Sequence, residues 1–70
     1  MTERKDLIDL GMKIKSVRES MNLTQEQFAQ KCGMSKNYIG MLERGERNPS
    51  YLTLVQIASK IEINLQKLIP

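Results

Sequence analysis

The 70 residues predict an all-α fold, a small bundle of four or five helices with a central helix-turn-helix. Three observations carry this. Apolar residues recur at steps of three and four through most of the chain, the spacing that puts them on one helical face. No segment shows the apolar–polar alternation of a half-buried strand, and there is no internal repeat or low-complexity stretch. Finally, Ser, Thr or Asn precedes each periodic run after the first, while Asn or Gly closes the first three, as helix starts and stops require.

Thr2 to Asp6 is charged and is expected to fray. Leu7, Leu10, Ile14, Val17 and Met21 then step by three and four, predicting a helix from about Leu7 to Ser20 with Lys13, Lys15, Ser16 and Glu19 on its solvated face. Gly11 weakens its first turn, and Asn22 can close it.

The stretch TQEQFAQKCGMSKNYIGMLERG, Thr24 to Gly45, holds two short helical patterns around one glycine. Thr24 with Gln27 three residues on is a capping box, and Leu23 can close over Phe28 as a hydrophobic staple. The second helix of the chain is thus expected from Gln25 to Cys32, burying Phe28, Ala29 and Cys32; Ala29 suits either helix propensity or close helix approach. Gly33 can take the left-handed conformation of a tight turn. Ser35 caps a third helix, Lys36 to Arg44, with Met34 and Ile39 as its staple, and Gly45 ends it. Two helices joined by a turn containing Gly form a helix-turn-helix. Ile39 and Leu42 face inward, leaving Asn37, Gly40, Met41 and Arg44 outward and Lys36 at the exposed start. An interior Gly costs about 1 kcal/mol relative to Ala, and an outward Met exposes apolar surface. Both make sense on a face that lies against another surface, although a tolerated glycine and a stray surface Met would also produce them.

Glu46 to Asn48 read as a polar loop, with Pro49 leading into the next helix. Ser50 is the expected cap, Asn48 the alternative. Leu54, Ile57, Ala58 and Ile61 place a helix over about Tyr51 to Ile61. Ile63, Asn64 and Leu68 repeat the staple and cap, predicting a short last helix from Leu65 to Ile69.

The segment LTQEQFAQKCGMSKNYIGMLERGERNPS resembles the helix-turn-helix of the lambda-repressor-like family, which includes Cro, the lambdoid phage repressors and the restriction–modification controller proteins. The likeness runs over about Met12 to Ile69. The Thr-Gln-Glu opening, the Ala29–Gly33 spacing and Leu-Glu-Arg-Gly followed by Asn-Pro-Ser all fall in register. It implies a sequence-specific transcriptional regulator, a repressor or controller protein, with double-stranded DNA as its partner.

The third helix is then the element for the major groove. Lys36 can donate to guanine O6 and N7, Asn37 can pair with adenine, Met41 can pack on a thymine methyl and Gly40 lets the backbone come close. Resemblance to the phage repressors also points to Lys36, Asn37 and Met41 as base-reading. Gln25 matches the family's phosphate-holding glutamine, assisted by helix N-terminal amides. Arg44, Arg47 and Asn48 look like further phosphate contacts, and Tyr38 either joins them or covers the core edge. Arg18 and Glu43 lie near the inner faces of the first and third helices; the family implies that they pair, with DNA contact by Arg18 as the alternative. Tyr51, Leu52, Val55, Leu65 and Ile69 are more apolar material than so small a core holds. They are the expected homodimer surface, and Cro and the controllers likewise suggest a dimer through helices four and five. A fragment of a longer repressor lacking its main dimer contacts is the other reading.

Composition narrows the field. Eleven Lys and Arg against eight Asp and Glu give a net charge of +3, fitting a polyanion partner. With no His and one Cys, neither a zinc site nor an internal disulfide is expected. Cys32 reads as a small buried hydrophobe or, less simply, as a reactive thiol. No phosphate-cradling Gly loop or catalytic cluster suggests an enzyme, and no cofactor or small-molecule ligand is evident. No apolar run approaches the ~20 residues of a membrane span and no signal-peptide pattern opens the chain, so a cytoplasmic location is expected. The competing function is a protein-binding module of antitoxin or anti-regulator type on the same scaffold, using the Gly40 and Met41 face and binding with little salt dependence.

Overall fold

The computed structural model describes residues 4–70. Its elements are α1 (Arg4–Ser20), α2 (Gln25–Cys32), α3 (Lys36–Glu43), α4 (Tyr51–Lys60) and one 3-10 turn (Leu65–Lys67), and no strand occurs among the described residues. α3 packs against both α1 and α2, α4 against α2, and the 3-10 turn against α4.

The core consists of Ile14, Phe28, Ala29, Cys32, Ile39, Leu42, Ile57, Ala58, Ile61 and Leu68. Every helix and the end of the chain contribute to it. Leu10, Val17, Met21, Leu23, Met34, Tyr38, Leu54, Ile63 and Leu65 pack around this centre as half-buried residues.

All four helices stop in the same way. The residue after the last turn takes a left-handed conformation, at Asn22 (φ 58°), Gly33 (φ 72°), Gly45 (φ 75°) and Glu62 (φ 59°). The next amide then reaches back to a carbonyl five residues earlier: Leu23 to Arg18 at 3.3 Å, Met34 to Ala29 at 2.9 Å, Glu46 to Met41 at 2.9 Å and Ile63 to Ala58 at 3.0 Å. This is the Schellman arrangement, which satisfies carbonyls that a helix end otherwise strands. The starts are equally regular. Thr24 and Gln27 form the reciprocal capping box, with Gln27 N to Thr24 Oγ1 at 3.1 Å and Thr24 N to Gln27 Oε1 at 2.9 Å. Ser35 accepts from Tyr38 N, and Ser50, the cap of α4, from Thr53 N.

Three expectations are corrected. Arg4 to Asp6 are helical, so α1 starts before Leu7; Thr2 and Glu3 lie outside the described residues. The tail forms a single 3-10 turn rather than a helix to Ile69, because Asn64 Oδ1 takes the Gln66 amide at 3.0 Å and the bonds that follow, Lys67 N to Asn64 O and Leu68 N to Leu65 O, both span three residues. That tight turn seats Leu68 in the core at 0% exposure.

The third concerns Gly11, which does more than weaken a turn. It is buried where α1 crosses α3, and a Cβ there would strike the Leu42 carbonyl oxygen and lie 2.6 Å from that of Glu43. Gly45 makes a second such approach, where a Cβ would fall 2.9 Å from the Ile8 backbone nitrogen. α1 therefore rests directly on the backbone at the end of α3. Gly11→Ala improves helix propensity by about 1 kcal/mol, yet overpacking costs typically 1–3 kcal/mol or more against rigid backbone. The expected outcome is a lower melting temperature by calorimetry, by about 4–8 °C per kcal/mol of net loss in a chain this short.

Candidate nucleic-acid interface

α2, the Gly33 turn and α3 present one exposed helix face. Ile39 and Leu42 anchor α3 in the core, which leaves Lys36 and Asn37 exposed in its first turn. A groove runs along this face, lined by Gln25, Lys36, Asn37, Gly40 and Arg44. The fold thus brings together three of the expected base-reading positions and two of the expected phosphate contacts, from both helices of the motif.

Two expectations about this face change. Gly40 is buried rather than turned outward, because the Arg44 side chain reaches back along α3 and covers it, placing Nη1 3.0 Å from where a Gly40 Cβ would sit. Side chains on a helix lean toward its N-terminus, which makes this four-residue reach natural. Met41 is half-buried, not fully exposed, and does not line the groove.

Behind the groove lies a charged network. Glu43 is 8% exposed. Its carboxylate accepts from Arg18 Nε at 2.7 Å, Arg18 Nη2 at 3.1 Å and Gln25 Nε2 at 3.0 Å. Arg18 Nη1 donates in addition to the Leu23 carbonyl oxygen at 2.8 Å. The hydrogen bond to Glu43, with the charge of that carboxylate, raises the Arg18 pKa further above its ordinary value. One carboxylate therefore ties α1, α2 and α3 together, and no buried side-chain polar atom among the described residues lacks a partner. The Gln25 bond was not expected. Its two residues lie 18 positions apart on different helices, and no local spacing signals it.

At the far end of the groove Arg44 pairs bidentately with Glu46, Nε to Oε2 at 3.0 Å and Nη2 to Oε1 at 3.1 Å. The guanidinium holds the Glu46 carboxyl below the usual carboxylate range, chiefly through these bonds. The Arg47 guanidinium lies over the Tyr38 ring, 5.4 Å from its centroid, while Tyr38 is half-buried against the core. Asn48 is exposed but belongs to a different concavity, with Asp6, Asp9, Pro49 and Ile69 on its walls. Of the expected dimer residues, Tyr51 and Leu52 are 67% and 73% exposed and Ile69 46%, whereas Val55 is half-buried and Leu65 packs on the core. The fold therefore already uses part of that surface. Cys32 is fully buried, and burial pushes its thiol pKa up, away from the reactive thiolate. No helix among the described residues is long and apolar enough to cross a membrane, and they contain no cluster of groups that could hold a metal ion.

A helix-turn-helix family model matches residues 14–68, which contain the whole motif and its supporting core. The chain belongs to the HTH_3 helix-turn-helix family. Among its relatives, the control protein C.SmaI of Serratia marcescens is 38% identical over 60 residues, a match covering 86% of this chain and 71% of that protein. The immunity repressor of Bacillus phage phi105 is 35% identical over 60 residues, again 86% of this chain but 42% of the relative, so the chain spans less than half of that repressor's length. The solved structure of the restriction–modification controller C.AhdI of Aeromonas hydrophila superposes with a TM-score of 0.90 at 29% identity, covering 99% of this chain and 100% of that one. Family membership makes the chain a DNA-binding transcriptional regulator of helix-turn-helix type.

Removing one member of a buried pair strands the other, at a cost of about 3–5 kcal/mol. Glu43→Ala should therefore lower the unfolding free energy by that order in urea melts without DNA. An unchanged melt would mean that Arg18 and Gln25 find other partners.

Proposed function

We propose that the chain acts as a homodimer on a short inverted-repeat operator, with α3 in the major groove of each half-site. The supporting observation is the groove on α3, where the polar side chains of Gln25 and Asn37 and the cations Lys36 and Arg44 converge with no carboxylate on its walls. α3 has eight residues, about 12 Å at 1.5 Å per residue, and B-DNA's major groove is ~12 Å wide. A helix this short enters such a groove as a supported tip, with its first turn deepest.

In this reading Lys36 and Asn37 address base edges, Met41 offers its exposed part to a thymine methyl and Gly40 keeps the face low. Gln25 retains a second amide hydrogen for a phosphate, next to the N-terminal amides of α2. Tyr38, Arg44, Arg47 and Asn48 hold the DNA backbone, the cation–π contact keeping Arg47 close to the protein surface. One copy contacts too few base pairs for discrimination in a genome. A second copy, joined through the exposed Tyr51 and Leu52 with Val55, Leu65 and Ile69, sets two reading helices about 34 Å apart. The protein works in the cytoplasm, and its concentration sets operator occupancy. The names of C.SmaI, a control protein, and of the phi105 immunity repressor fit this role.

Selection from a random duplex pool at about 100 mM salt tests it. A palindrome with half-sites one helical turn apart is the expected product. A pool with no enriched sequence would favour the protein-binding alternative. On the enriched duplex, Arg47→Ala should weaken binding to all sequences alike and flatten the salt dependence by about one unit; a change of base preference would overturn its phosphate role.

A further inference from the structure

Glu46 is a carboxylate at the mouth of a groove meant for a polyanion, where simple electrostatics makes it a liability. Its bonds to Arg44 give little in stability, since both side chains are about half exposed and exposed pairs contribute little. What the pair does accomplish is geometric. Gly45 turns the chain left-handed at φ 75°, and the Glu46 amide is pinned to the Met41 carbonyl oxygen at 2.9 Å, so the carboxylate stands on a fixed platform. That platform is backed by α1 through the close approach of Gly45 and Ile8. From it, Glu46 grips the Nε–Nη2 edge of Arg44. The guanidinium is planar, so fixing one edge fixes the other. The Nη1–Nη2 edge is left over Gly40, and both Arg44 Nη1 and Gln25 Oε1 come within 3.7 Å of the point where a Gly40 Cβ would sit.

We infer that Glu46 is a positioning residue: it aims the free edge of Arg44 into the groove beside Gln25, where that edge serves a DNA backbone phosphate. A phosphate accepts two parallel N–H bonds from such a fork. Glu43 positions Gln25 in the same way from below. The missing side chain at Gly40 leaves the room that the Arg44 guanidinium fills. This rests on the DNA-binding reading above.

The sign of one substitution tests it. If Glu46 only repels DNA or competes for Arg44, removing its charge tightens binding. If it positions Arg44, removing it weakens binding although the protein becomes more positive. With the duplex enriched by wild-type protein, titrations of Glu46→Ala, Arg44→Ala and the double variant over a range of salt should show Glu46→Ala weakening binding about fivefold or more. Its salt dependence should flatten by about one unit, as with Arg44→Ala. In the Arg44→Ala background, Glu46→Ala should no longer weaken binding, and Glu46→Gln, which can still accept from Arg44, should fall between wild type and Glu46→Ala. Thermal melts should be unchanged throughout. Tighter or unaltered binding by Glu46→Ala overturns the proposal and leaves the DNA-binding reading standing. A wild-type protein that binds no duplex removes both.

Discussion

A carboxylate taken out of water must be met by donors or it destabilises the fold, and Glu43 is met by three. They come from the two helices that flank α3, so satisfying a single charge also fixes how those helices sit. Arg18 brings α1 to the end of α3, and Gln25 brings the first turn of α2 to the same point. The crossing of α1 and α3 is further set by contact of backbone on backbone at Gly11 and Gly45. Charge satisfaction and steric closeness therefore act at the same end of α3. The other end, with Lys36 and Asn37, is left to face outward.

The bounds of the helices in the helix-turn-helix are set by local chemistry repeated at each boundary. Capping side chains mark the helix starts and left-handed residues their ends, while burial of Phe28, Ile39 and Leu42 stabilises helices too short to persist alone. Long-range packing also sets orientation. Ile39 and Leu42 on one side and Glu43 beside them leave α3 a single way to sit on the core, and that choice exposes the groove between it and Gln25.

This division explains what could be read from the residues alone. Thr24, Ser35, Ser50 and Asn64 were legible as caps because a cap is decided within three residues, and the bounds of α2 followed. Phe28, Ile39, Ile57 and Leu68 were legible as inward because periodicity carries that information. Gly11 was not, since the carbonyls it meets belong to residues about 31 positions away. An interior glycine costs helix stability at Gly11 as it does at Gly40, which is the one local sign of the close approach there. The cover that Arg44 lays over Gly40, the bond from Gln25 to Glu43 and the use of Leu65 by the core all depend on side-chain reach across elements, which spacing does not encode. Glu46 read as one polar loop residue among three because its partner is chosen by the turn at Gly45. The roles on DNA came from the family pattern; the residues themselves supplied only donors and a helix of suitable size.

Lys36 and Asn37 are exposed and neither is part of the core, whereas Met41, one turn later, is half sunk into the protein. Sequence change at the first two positions carries little folding penalty, so a lineage can drift there while its scaffold stays intact. Met41 is under two masters, and a change there must satisfy both. Divergence of such regulators should therefore begin at the first turn of α3 and reach its middle late, after stabilising changes elsewhere have made room for it.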